Sequence, residues 1–85
     1  MVNKITYYAI VSDGATVDQP HGLLRRLEHA DGPEDEGVQK DMGWHRTSLI
    51  AEHEHGGTDE DLVLVSHEQA SRIVEYLREK FADLR

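Results

Sequence analysis

The stretch from Ser66 to Leu84 constrains this chain more than any other. Ala70, Ile73, Val74, Leu77, Phe81 and Leu84 recur at steps of three and four, which draws one apolar stripe along a helix. Ser66 is placed to cap that helix, Gln69 to reach back to the Ser66 amide, and Val65 to staple onto Ala70. Glu68 near the start and Lys80 and Arg85 near the end suit the helix dipole. A helix running from about residue 67 to 84 must bury its stripe on some surface, and a chain of 85 residues has material for one core and one domain, residues 1–85.

The surface has to come from strands. Lys4 to Val11 is rich in β-branched and aromatic residues and meets a turn signal at Ser12-Asp13-Gly14. Ile5, Tyr7, Ala9 and Val11 share one face and Thr6, Tyr8 and Ile10 the other, so both faces expect some cover. Leu23, Leu24, Leu27 and Ala30 fit a helical period ahead of Gly32-Pro33, and residues 23–30 fit a strand as well. The strand is preferred, because the first strand needs a partner and the offset from Val11 to Leu23 suits a hairpin with a wide loop. Residues 31–37, Asp-Gly-Pro-Glu-Asp-Glu-Gly, read as a loop on composition, and Val38 to Trp44 as a further short strand. Thr47 opens a short helix that stops at Gly56-Gly57, and Leu62 to Val65 reads as a buried extended segment. The expected architecture is α+β: a small antiparallel sheet of three to four strands with one long C-terminal helix packed across a face.

The net charge of −8 is unevenly placed. Residues 1–30 and residues 62–85 are each neutral, while residues 31–61 set ten acids against Lys40 and Arg46. Nucleic-acid affinity comes largely from Lys and Arg on phosphates, so an acidic chain without a basic stripe is excluded from that role. Anionic lipid surfaces would repel it too, and the aliphatic runs fall far short of the roughly 20 residues a membrane helix needs. The chain has no cysteine, which rules out disulfides and thiolate chemistry, and its first residues show no export signal, so the expected location is the cytoplasm.

Six histidines include the cluster Glu52-His53-Glu54-His55, followed by Asp59-Glu60-Asp61. On an extended segment His53 and His55 would face one way and could hold Zn²⁺ or Ni²⁺ with a carboxylate; on a helix they would diverge. The spacing matches neither an HExxH helix nor an EF-hand loop. Arg25 and Arg26 would point to opposite faces of a strand, one free to grip a carboxylate and the other laid on the sheet. Trp44 serves either the core or a partner. No nucleophile with its base and no Gly-rich phosphate loop is present, so no enzyme activity and no cofactor are expected.

Tyr7-Tyr8-Ala9-Ile10, Pro20-His21-Gly22-Leu23-Leu24-Arg25-Arg26, Gly43-Trp44-His45-Arg46-Thr47-Ser48-Leu49 and Leu62-Val63-Leu64-Val65-Ser66-His67-Glu68-Gln69-Ala70 form an arrangement that resembles small bacterial single-domain proteins of unknown function. The resemblance implies a free-standing domain and a strand over residues 23–28, and it carries no activity or site. By elimination the expected function is a small protein-interaction or regulatory accessory module, monomer or homodimer. Its surface would be the acidic middle, Glu34, Asp35 and Glu36, with Arg25, Arg26 and Trp44 nearby. The alternative is a metal-responsive domain using His53 and His55.

Overall fold

The structure, a computed structural model, describes residues 2–82. Five strands and two helices follow in the order β1 (Val2–Ile10), β2 (Gly22–His29), β3 (Gly32–Val38), β4 (Trp44–Arg46), α1 (Leu49–Glu54), β5 (Leu62–Val65) and α2 (His67–Ala82). The sheet is antiparallel with strand order β4-β3-β2-β1-β5. The fold is therefore α+β with a long C-terminal helix, as expected, and has one strand more than the upper expectation. Residues 23–28 are strand.

The extra strand is β3, and it corrects the expectation of a loop over residues 31–37. Its composition disfavours a strand in isolation, but its partner overrides that. In register, Glu36 faces Arg25, Asp35 faces Arg26, Glu34 faces Leu27 and Gly32 faces His29. Each of the two central acids meets an arginine directly across the ladder, where opposite charges stabilise a strand pair. The hairpin closes at Ala30-Asp31, with Gly32 at φ +129°, a backbone L side chains rarely adopt.

Val38 to Trp44, expected as a strand, is mostly the next turn. The Met42 amide donates to the Gln39 carbonyl at 2.8 Å, the Gln39 amide to the Gly43 carbonyl at 3.0 Å, and Met42 takes φ +64°. The Asp41 carboxylate accepts from the Gly43 amide and lies 3.0 Å from the His45 ring, which together hold its pKa below the ordinary value. The short helix begins one residue later than Thr47, with Ser48 at its cap position, and turns off at Gly56 with φ +73°.

Strand alternation sorts the side chains onto two faces. Ala9 and Leu23 on one face are covered by Ala70, Ile73 and Leu77 of α2, and these five form the core cluster. Val74 and Phe81 join it partly buried, so the stripe read from spacing is the packed face up to Phe81. Leu84 and Arg85 lie outside the described residues. The Gln69 amide donates to Ser66 Oγ at 3.0 Å, but the Gln69 side chain turns away to Asp18 and the second half of the expected capping box is not made. On the other face Ile50 of α1 is buried with Leu24.

β5 corrects a further expectation, since it is extended but not buried: Leu64 is 65% exposed. It is fixed by the loop before it. Ser12, itself buried, donates to Glu60 Oε2 at 2.6 Å and accepts from the Asp61 amide at 2.7 Å, while the Val11 amide donates to the Asp61 carbonyl at 2.9 Å.

Candidate functional site

The arginines read from the sequence do lie on opposite faces, and each is held internally. Arg25 meets Glu36 at 2.6 Å and lies over the Trp44 ring, 4.1 Å from its centroid. Tyr7 approaches the same tryptophan at 6.3 Å between centroids, so Trp44 closes the end of the core as part of a small aromatic cluster. Arg26 forms two forks. Its Nε and Nη2 donate to Asp35 at 2.7 and 3.0 Å, and its Nη1 and Nη2 donate to Glu54 of α1 at 3.0 and 2.9 Å. Asp35 first and Glu54 second hold the Arg26 guanidinium charged, and Arg26 in turn lowers the Glu54 pKa. The side chains of Asp35 and Glu36 are 11% and 17% exposed. Two of the three acids proposed from sequence therefore join strand to strand and present little free charge.

Glu34 borders a shallow polar groove of about 620 Å³ at the β2–β3 hairpin, together with His29, Asp35, Arg46 and Ser48. His29 Nε2 lies 3.2 Å from Glu34 Oε2 in a geometry that makes no hydrogen bond, and Arg46 stands 4.0 Å from the same carboxylate. His29 and Arg46 thus both face Glu34.

The histidines are not brought together as a metal centre. His53 is on α1, where its Nδ1 contacts the Glu60 carbonyl at 3.2 Å, and His55 is at the C-cap of the same helix. Among the described residues no group of three or more His, Cys, Asp or Glu side chains is placed to hold a metal ion. Nor is any helix among them long and apolar enough to cross a membrane.

What stands open is the β1–β5 edge. Among the described residues β5 pairs only with β1, over Tyr7 to Ile10, so its other side has no described neighbour, and neither has β1 on that side from Thr6 to Val2. Among the described side chains, the large apolar ones most exposed to water are Ile5 at 44%, Val63 at 37% and Leu64 at 65%, all at this edge. A groove of about 430 Å³ lies beside it, floored by Ile5, Tyr7, Leu64 and Val65 and bordered by Lys4 and His67. His67 sits on Tyr7, their rings 5.6 Å apart.

The opposite edge is built differently. β4 is three residues long, Trp44-His45-Arg46, with His45 and Arg46 exposed. Both edge strands are short, but charge on an edge strand resists unwanted pairing, whereas β5 is Leu-Val-Leu-Val, with no charge and no proline. Leu64 does not read as a surface residue in the sequence, because an unbroken apolar run is the mark of a buried strand. Only the long-range pairing of β5 with β1 shows that one of its sides has no neighbour. No known protein family, curated protein or solved structure matches the chain.

Proposed function

We propose that this domain is a protein-interaction module of the cytoplasm that acts by binding, and that it docks its partner on the β1–β5 edge. The observation that carries this is the unprotected apolar strand Leu62–Val65 at one end of a sheet whose other end is protected. An added strand gains main-chain hydrogen bonds from the edge and side-chain contacts from the groove at Ile5 and Tyr7. A chain without cysteine suits a reducing compartment. Arg25, Arg26, Asp35 and Glu36 support the sheet that presents the edge and are not themselves the contact.

The test is affinity capture from native cell extract with wild type, Leu64→Lys and Glu34→Lys proteins. Stoichiometric partners held by wild type and Glu34→Lys and lost by Leu64→Lys support docking at β5. Partners retained by Leu64→Lys and lost by Glu34→Lys would overturn it and move the contact to the β2–β3 hairpin.

A further inference from the structure

Building on that docking surface, we propose that its occupant is a second copy of this chain, whose β5 adds antiparallel to β5 about a two-fold axis at Val63. In an antiparallel ladder the residues bonded to a given neighbour recur at every second position. The Val11 amide bonds the Asp61 carbonyl at 2.9 Å, so Asp61, Val63 and Val65 turn their backbone groups to β1. Leu62 and Leu64 therefore turn N–H and C=O outward, which gives the edge two donors and two acceptors.

A two-fold axis perpendicular to the sheet must set one residue against its own copy. Centred on Val63, it sets Leu62 against the second copy's Leu64 and Leu64 against the second copy's Leu62, and four hydrogen bonds use every outward group. Centred on Leu64, it would set Leu62 against Ser66, where the chain already turns into α2. The Val63 register also places apolar side chains together on both faces: Val63 on its copy on the α2 side, and leucine on leucine on the other.

Charge selects the same arrangement. The register leads the acidic segment before the second copy's β5, Asp59-Glu60-Asp61, toward the groove that Lys4 borders. A parallel pairing would instead stack Asp59-Glu60-Asp61 on its own copy, which like charges oppose. Val63 becomes a non-hydrogen-bonded cross-strand pair, with Cα atoms about 4.5 Å apart, inside the roughly 4.4–6.8 Å that a disulfide spans.

Purified protein tests this by sedimentation velocity over a concentration series, together with air oxidation of Val63→Cys and Leu64→Cys chains, each carrying a single cysteine. The expected results are a concentration-dependent doubling of the 9.7 kDa sedimenting mass and a disulfide-linked dimer for Val63→Cys but not for Leu64→Cys. Leu64→Pro removes an outward donor at an edge that tolerates proline, and should stay monomeric with an unchanged circular dichroism spectrum. A wild type that is monomeric throughout, or a disulfide-linked dimer from the Leu64→Cys chain and none from Val63→Cys, overturns the proposal. If the wild type is monomeric while Leu64→Lys still loses partners from cell extract, the second copy is the part that fails and docking at the edge is supported.

Discussion

Replacing Arg26 with methionine should cost this domain a large share of its stability. The methionine keeps most of the aliphatic stem and removes both forks, so Asp35 remains in a site where its side chain is 11% exposed, without its 2.7 Å and 3.0 Å donors. Breaking a buried ion pair from one side costs about 3–5 kcal/mol, and the half-exposed Glu54 admits enough water to bring the figure here to about 2–4 kcal/mol. The Glu54 fork, at the surface and screened by water, contributes the smaller part of this. A domain of this size has about 4–13 kcal/mol in all. With an unfolding entropy of about 2 cal/mol/K per residue, the loss lowers Tm by roughly 10–20 °C. Urea and thermal unfolding followed by circular dichroism measure both quantities. The double variant Arg26→Met/Asp35→Leu removes the stranded charge along with its partner and should recover to within about 1 kcal/mol of wild type. A single variant that loses less than about 1 kcal/mol, or a double variant no better than the single, would refute the claim that this pair turns an acidic segment into a strand.

Four further outcomes follow from the same geometry. Arg26 holds the Glu54 pKa below its ordinary 4.5, so that contribution is present above 4.5 and is lost as pH falls through the lower folded-state value; the Tm gap between wild type and Arg26→Met should narrow in acid, and a gap constant from pH 7 to pH 3 would contradict it. Leu77→Ala empties a fully buried position beneath α2 and should cost about 2–5 kcal/mol by urea titration. A Cβ on Gly37 would stand 2.9 Å from Leu24 Cδ2 in the buried part of the sheet, so Gly37→Ala should cost about 1–3 kcal/mol in the same assay. Leu64→Lys, by contrast, should change stability by less than about 0.5 kcal/mol, because the leucine is mostly in water already.

The parts of the fold that announce themselves in the sequence are those whose cause is local. The α2 stripe, the Ser66 cap and the strand over Lys4 to Val11 each follow from neighbours within a few positions, and each is in the structure, the strand reaching back to Val2 and ending at Ile10. β3 is hidden because its cause is not local. Asp31-Gly-Pro-Glu-Asp-Glu-Gly37 has loop composition, and it becomes extended only when Arg25 and Arg26 lie across from Glu36 and Asp35. A trace of this is legible: the positions of both charge pairs sum to 61, which places a hairpin at Ala30-Asp31. The acidic middle reads as free surface for the same reason, since the cations that match two of its acids come from the neutral first third of the chain. The β1–β5 edge is the least legible part. Leu62–Val65 reads alike as a central or an edge strand, and 51 residues separate Ile10, the end of β1, from the Leu62 that begins its neighbour.

Amide hydrogen exchange at Leu62 and Leu64 tests the central claim most directly, because these two residues turn their N–H groups away from the sheet while Val63 turns its own toward β1. Docking at the edge predicts that Val63 is protected at every protein concentration, and that Leu62 and Leu64 exchange fast in dilute protein and become protected together as the edge is occupied. Fast exchange at Leu62 and Leu64 in concentrated protein and in the presence of captured partner alike would contradict it.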